Sequence, residues 1–401
     1  MLILAGVSIN LVLGNNGIIA KAKDAETKSA EASENDLKGM NGLVSEMEGA
    51  LAGNGGAGGS GADTKVPAEA TAETAPYFPD NTFTKKEGTI DTGLVIQDAS
   101  GNEYVWVVVP RTTAVYKTTG LGKTTFTDTD YTNIENDLKE YTKTYRGSAS
   151  YSDTYAADTA NVGWFENETA YNNLKNSMLK SVYENGGFYV GRYEAGIVTN
   201  RTSNTDKNSD GKYTMPSTTP VTKADAYPYT YVTRTQAQNL ASNVNSGTKT
   251  SSLMFGVQWD LVLAFMSKDT AKITSTDVLT KNSTTIGNYY NNLWTIKNAN
   301  AQYLADYGDT FTACPNPFKK ESNSVILLTT GADSSFSVQN IYDIAGNVIE
   351  WTLEKTSNTY RPCANRGGDF LNTGSGRPAA CRYVSSTDYS DGSIGFRVSL
   401  F

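Results

Sequence analysis

The chain has 401 residues, of which 38% are hydrophobic, and this length allows one large domain with appendages. The formal net charge is −8 and the lysines and arginines are scattered, which excludes the basic surface that nucleic-acid binding requires. The sequence contains no histidine, and this excludes Ser-His-Asp and Cys-His nucleophiles as well as zinc sites built on histidine.

Residues 1–52 are predicted to form a long helix. The first 14 residues, MLILAGVSINLVLG, are apolar but too short for a spanning helix of ~20 residues. No basic segment precedes them, as a signal peptide would require. Alanine, glutamate and lysine then favour a helix whose apolar face continues into a polar tail. We expect one continuous helix from Leu2 to about Ala50.

This apolar stretch, running directly into an amphipathic helix, resembles the N-terminal stalk of type IV pilin-like proteins over about the first 30 residues. The resemblance implies that the leader peptide, its cleavage site and the first half of the apolar helix would lie before Met1, so we expect an N-terminally truncated form. It also implies a membrane-associated, cell-surface or extracellular location and assembly through this helix into a pilus-like filament. An ordinary surface helix with an apolar end is the alternative.

Residues 53–76 are rich in glycine, alanine and threonine and predict a flexible linker. Residues 77–401 are predicted to form the folded, ligand-binding domain. Its apolar segments alternate between strand and helix patterns without a regular repeat, which indicates an α+β fold. Strands are predicted over 93–98, 103–110 and 186–196, and helices over 170–183 and 258–266.

Several segments occur in a fixed order and resemble the formylglycine-generating-enzyme group, also called sulfatase-modifying-factor-like, over roughly residues 90–401. The resemblance implies an α+β C-type lectin fold of the formylglycine-generating-enzyme type, preceded by the long N-terminal helix. The segments are GGFYVGRYEAG (186–196), YVTRTQA (231–237), LMFGVQWD (253–260), IYDIAGNVIEWT (341–352), NRGGDF (365–370) and IGFRV (394–398).

The same residues have a physical interpretation without the family. Gly346 and Asn347 suit a turn with positive φ. Arg366 and Arg397 lie near the two ends of the last segment of the chain, and each is able to tie it to the body through a carboxylate such as Asp343 or Glu350.

The catalytic members of the family use two closely spaced cysteines shortly before the GFR element. The sequence has three cysteines without CxxC spacing, which allow at most one disulfide. Cys381 lies in the right neighbourhood, but its nearest companion, Cys363, lies on the other side of the Gly367-Gly368 turn. We therefore expect no enzyme activity. The alternative is an oxidase that uses Cys363 and Cys381 together.

The family resemblance also implies a calcium site around the GNVIEW turn. Its ligands would be the carbonyl groups of Gly346 and Val348 and the carboxylate of Glu350. Pairing of Glu350 with an arginine is the alternative.

After Lys355 the sequence contains no lysine, glutamate, glutamine, methionine or tryptophan, although these types make up about 15% of the chain. Codons ending in C or T cannot encode any of the five. This tail resembles the variable region of proteins diversified by diversity-generating retroelements, in which adenine-templated codons are randomised in a C-type lectin domain. The resemblance implies a variable region at 366–397 whose side chains form an exposed ligand surface between fixed flanks at 366–368 and 394–397.

We therefore predict a surface-displayed recognition protein whose aromatic and arginine side chains anchor an unknown protein or glycan ligand. The alternatives are the oxidase and a structural pilus subunit. The candidate ligand-binding residues are Asp369, Phe370, Leu371, Asn372, Arg377, Cys381, Tyr383, Val384, Asp388, Tyr389 and Asp391.

Overall fold

The computed structural model describes residues 76–147, 151–156, 165–200, 218–306, 308 and 310–401. All of these belong to one unit of the chain, Gly61–Phe401. The predicted helix at 1–52 and nearly all of the predicted linker lie outside the described residues and stay predictions. Of the described helices, none combines the length and apolar character needed to cross a membrane.

The described elements mix helix and strand, which confirms the predicted α+β class. The helices are α1 (Asp128–Tyr141), α2 (Lys143–Arg146), α3 (Glu168–Asn185), α4 (Arg234–Ala241), α5 (Gly256–Met266) and α6 (Asp277–Thr280), with a 3-10 turn at Ser334–Phe336. The strands are β1 (Thr84–Glu87), β2 (Val95–Gln97), β3 (Glu103–Val108), β4 (Tyr151–Ser152), β5 (Gly187–Gly191), β6 (Gly196–Ile197), β7 (Tyr227–Pro228), β8 (Ser251–Leu253), β9 (Thr295–Ile296), β10 (Gln302–Ala305), β11 (Thr312–Ala313), β12 (Phe318–Lys319), β13 (Ile326–Leu328), β14 (Ser337–Val338), β15 (Ile341–Tyr342), β16 (Ile349–Thr356), β17 (Cys363–Arg366), β18 (Arg382–Ser385), β19 (Ile394–Phe396) and β20 (Val398–Leu400).

Two sheets carry most of the fold. The first has the strand order β1-β2-β3-β5-β20-β8, and the second has the order β18-β17-β16-β19 with β4 added against β16. Within the second sheet, β19 runs parallel to β16 while β17 runs antiparallel to both β16 and β18. The remaining described strands form one three-stranded and three two-stranded sheets within the long connections between these strands. The last strand, β20, enters the first sheet, so the C-terminal tail is tied into both sheets.

Helix α5 connects the two sheets because it contacts β3 in the first and β16 in the second. Its sequence, GVQWDLVLAFM, is apolar on all sides, and every residue except Ala264 is buried. A helix that is apolar all round belongs in the centre of a core. The buried carboxylate of Asp153 accepts hydrogen bonds from the N–H groups of Gly256 (2.7 Å) and Val257 (2.9 Å), which complements the positive end of the helix dipole.

Candidate functional site

Strands β16, β17 and β18 place three side chains in a row on one face of the second sheet. Trp351 pairs with Asn365, and Asn365 pairs with Tyr383. Residues that lie directly opposite each other point to the same face. Trp351 and Asn365 are buried, whereas Tyr383 on the edge strand is 39% exposed. The row therefore runs from the core out to solvent.

The connection 386–393 crosses this same face. It leaves β18 where Ser385 pairs with Cys363, and it must return to the opposite end of the sheet, where Ile394 pairs in parallel with Ile349. On the way, Tyr389 lies over Trp351 with the ring centroids 6.5 Å apart and the planes at 77°. Tyr389 is 42% exposed. The face thus presents two partly exposed tyrosines, 383 and 389.

Arg377 covers one side of Tyr383. The centre of its guanidinium lies 3.8 Å from the ring centroid, which is a close cation–π contact. Arg377 Nη1 is also 3.5 Å from the buried carboxylate of Asp369, and that carboxylate accepts hydrogen bonds from the Asn372 side chain (2.5 Å) and the Leu371 N–H (2.9 Å). Burial raises the pKa of Asp369, and these contacts oppose the increase. Asp369 therefore holds the loop that positions Arg377 on Tyr383.

The structure brings most of the predicted contact residues to the surface, but not all of them. Tyr383, Asp388 and Tyr389 are exposed, and six others are partly buried: Leu371, Asn372, Arg377, Cys381, Val384 and Asp391.

Asp369 and Phe370 are buried, at 2% and 3% exposure, so the structure does not place them on the expected ligand surface. The reason is local, because the chain turns inward after Gly367 and Gly368. A side-chain carbon on Gly368 would come within 2.3 Å of the Arg377 carbonyl oxygen. The Phe370 ring packs into the hydrophobic core. The buried Asp369 carboxylate accepts a hydrogen bond from Asn372 within the loop.

A buried charge network lies against the opposite face of the sheet. Arg382 is next to Tyr383 in β18 and therefore points the other way. The Asp260 carboxylate on α5 accepts from Arg366 Nη2 (2.8 Å), Arg382 Nη2 (2.7 and 2.9 Å) and Arg146 Nη1 (3.1 Å). Arg382 Nε also donates to both oxygens of Glu354, at 3.0 and 3.1 Å. Burial raises the pKa of Glu354, while Arg382 and Arg366 favour its ionised form.

Asp260 and Arg382 were not predicted as site residues. The signal for Asp260 was present in the sequence, because a single carboxylate inside the apolar helix QWDLVLAFM requires a buried partner. The network joins α2, α5, β16, β17 and β18 and fixes the sheet that presents the tyrosines.

The residues expected to bind calcium do not fit the ion. Both oxygens of Glu350 accept from Arg397, with Nε at 3.1 and 3.2 Å and Nη2 at 2.7 Å. A guanidinium that occupies the carboxylate in this way repels a cation. Gly346 and Asn347 have the positive φ values predicted for the turn, 77° and 54°. Among the described residues, no group of three or more histidine, cysteine, aspartate or glutamate side chains is placed to hold a metal.

Arg397 pairs with Glu350, which was one of the two predicted carboxylates. The other, Asp343, lies nearby with Glu194 in the same buried cluster. Burial raises the pKa of Asp343 to about 7, opposed by its hydrogen bond from the Gly331 N–H and by Arg397. Burial and the neighbouring Asp343 and Glu350 also raise the pKa of Glu194. The cluster therefore holds more carboxyl groups than one arginine neutralises.

The structure separates the two cysteines that the oxidase alternative needs together. Cys363 pairs with Ser385, while Cys381 precedes the pair formed by Arg382 and Arg366. The two cysteines are thus four residues apart along the strands, roughly 13 Å, and a disulfide needs Cα atoms within about 7 Å. Burial raises the pKa of the Cys381 thiol, which opposes formation of the reactive thiolate.

We expect all three cysteines, which lie in the described part of the chain, to carry thiols. The chain would be denatured without reductant, treated with iodoacetamide and weighed by mass spectrometry. Three carbamidomethyl groups are expected on each chain. The control is a sample that is reduced before alkylation, and its mass should be the same. A peptide pair linked through Cys363 and Cys381 would contradict the strand register.

Comparison with known proteins gives similarities at the level of structure. No family model matches the chain, and no curated protein matches it. Among solved structures, the chain is similar to CarF, with 13% identity, a TM-score of 0.28 and coverage of 53% of this chain and 85% of that one. It is similar to PvdO from Pseudomonas aeruginosa, with 13% identity, a TM-score of 0.29 and coverage of 54% and 80%.

A further similarity is to Treponema denticola variable protein 1, with 10% identity, a TM-score of 0.21 and coverage of 85% of this chain and 92% of that one. TM-scores this low do not establish a common fold. The functional assignment therefore depends on the residues and contacts of the chain itself.

Proposed function

We propose that the chain is a recognition protein that binds a protein or glycan ligand non-covalently and catalyses no reaction on it. The binding domain is the C-terminal domain, with the C-type lectin fold of the formylglycine-generating-enzyme type. The observation that carries the proposal is the placement of Tyr383 and Tyr389. Both are partly exposed on one face of a sheet whose other face is fixed by buried ion pairs. Rigid aromatic anchors among adaptable polar side chains are typical of binding surfaces.

The composition of the tail supports a surface that varies between copies of the gene. The segment without lysine, glutamate, glutamine, methionine and tryptophan contains both tyrosines and Arg377. Under this proposal, the side chains of the tail that reach the surface differ between copies of the gene, whereas the buried Arg366 and Arg397 stay the same. Surface display through the N-terminal helix is part of the same proposal and is supported by the sequence of residues 1–52.

The proposal is of a protein that is not an enzyme, and two observations support this part of it. The chain has no histidine to activate a nucleophile. The strand register also keeps Cys363 and Cys381 apart, so they do not form the pair that the oxidase alternative requires.

We expect Tyr383→Ala and Tyr389→Ala to weaken ligand binding while leaving the domain folded. Each side chain is partly exposed, so the free energy of unfolding should fall by about 1 kcal/mol or less. Loss of an aromatic anchor should weaken ligand binding by about tenfold or more. Urea denaturation and surface plasmon resonance measure the two effects. Tyr189→Ala, at a buried tyrosine in β5, is the control that should destabilise the domain strongly.

The direct test is to sequence the 3′ end of the gene and the DNA downstream of it across many cells of one population. Substitutions at adenine-templated codons between Arg366 and Ile394, with a near-copy of the segment nearby, are expected. An invariant tail without such a copy would overturn the diversified surface.

A further inference from the structure

One exposed aromatic residue lies outside the surface just described. Tyr360 is 89% exposed and lies in the hairpin turn between β16 and β17. All five residues of the segment 357–361 are exposed. The turn therefore presents a large ring to solvent where folding gains nothing from it.

The backbone of this turn is held in one conformation by its own side chains. Asn358 Oδ1 accepts hydrogen bonds from the N–H groups of Tyr360 (2.9 Å) and Arg361 (3.1 Å). Thr356 Oγ1 accepts from the Asn358 N–H (3.1 Å) and donates to the Arg361 carbonyl (2.8 Å). A loop ordered before binding loses less conformational entropy when it makes contact.

The turn lies at the end of the sheet from which the connection 386–393 departs. Ser385, the last residue of β18, pairs with Cys363, the first residue of β17. Asn365, the partner of Tyr383, is five residues from Tyr360, which is at most about 18 Å. The turn is therefore near enough for a partner that contacts Tyr383 to reach it as well.

The restricted composition of the tail includes the turn. It begins at Thr356, ten residues before Arg366, so the segment SNTYR at 357–361 belongs to it. Codons for asparagine, threonine and tyrosine that end in C or T contain adenine, which is the base that the proposed diversification replaces.

We infer that residues 357–361 form a second, diversified contact loop of the same recognition surface, and that the two loops together fit a folded protein. This inference rests on the proposed function. A standard interface of about 800 Å² per partner is roughly 30 Å across, which is enough to cover all three tyrosines. Tyrosine, serine, asparagine and arginine are also the side chains that protein-binding loops favour.

The gene survey tests the diversification of the turn. We expect substitutions in codons 357–361 as well as in codons 371–391, with codons 363, 364 and 366 unchanged because cysteine, alanine and arginine codons that end in C or T contain no adenine. Substitutions that begin only after Arg366 would overturn the inference and leave the proposed function intact. Absence of substitutions from both segments would overturn the proposed function too.

A display experiment with the full chain tests the kind of partner. One library randomises residues 357–361, a second randomises six tail positions, and a third randomises both sets. Each library is selected for binding to immobilised lysozyme and, separately, to immobilised dextran. The tail positions are Leu371, Asn372, Arg377, Tyr383, Asp388 and Tyr389. Clones of the third library are expected to bind lysozyme about tenfold more tightly than clones of the others, and to lose this gain when 357–361 is restored to the parent sequence.

The remaining outcomes each contradict one step. If restoring 357–361 leaves the affinity unchanged, the turn is not a contact loop. Enrichment on dextran without enrichment on lysozyme would overturn the protein partner. If the second library gives no binders on either probe, the proposed surface itself fails.

Discussion

Asp260→Ala is expected to lower the free energy of unfolding by about 3–5 kcal/mol, because it removes one partner of a buried ion-pair network. Its carboxylate accepts from Arg366, Arg382 and Arg146. Without it, Arg366 and Arg382 share Glu354, and Arg146 loses the carboxylate with which it pairs. Arg366 Nη1 already lacks a hydrogen-bond partner in the described structure. The sheet that carries Tyr383 should lose its rigid support. Urea denaturation at neutral pH measures the change.

Asp277→Ala is the matched control. Asp277 is also a helical aspartate, the first residue of α6, but it is exposed and pairs at 3.1 Å with Lys281, which follows the helix. Exposed pairs of this kind contribute about 0.5 kcal/mol or less. A loss below about 1 kcal/mol for Asp260→Ala would show that the network is not a support of the fold.

Asp343→Asn is expected to flatten the pH dependence of stability. Burial raises the pKa of Asp343 from 3.8 to about 7. Between these values the unfolded chain has released the proton and the native state still holds it, so the contribution of Asp343 to native stability falls as pH rises from about 4 to 7. The full effect is on the order of 4 kcal/mol for this carboxyl group. Thermal unfolding across this pH range measures it.

The neutral amide cannot ionise, so the variant should lose most of this slope and gain stability at pH 7 relative to the parent. A residual slope of the same sign is expected from Glu194, whose pKa is also raised by burial. Asp277→Asn should retain the parental profile. An Asp343→Asn profile parallel to that of the parent would show that the acid cluster does not control the pH response.

The parts of the fold that depend on local pattern were predictable. The short apolar run in residues 103–110 predicted β3, and the apolar run 258–266 predicted most of α5. Gly346 and Asn347 adopt the predicted positive φ. The polar helix α1 was not predicted, although Thr127 and Asp130 form a capping box at its start.

The candidate site was predictable as a segment but not residue by residue. The composition of the tail indicates which codons are present, whereas burial is decided by neighbours far along the chain. Phe370 is buried in the hydrophobic core, and Arg382 faces inward because Asp260 lies 122 residues earlier on α5. Sequence spacing within the tail carries no information about such contacts.

Inward Arg382 and outward Tyr383 are neighbours on β18, and adenine-directed substitution can treat them differently. If the template codon at Arg382 is CGC or CGT, it contains no adenine, whereas a TAC or TAT template at Tyr383 contains one. Adenine-directed substitution would then vary the outward position and leave the inward one unchanged. The side chain that contacts the ligand would then vary from copy to copy, while the buried ion pairs of Arg382 that hold the strand in place would stay the same.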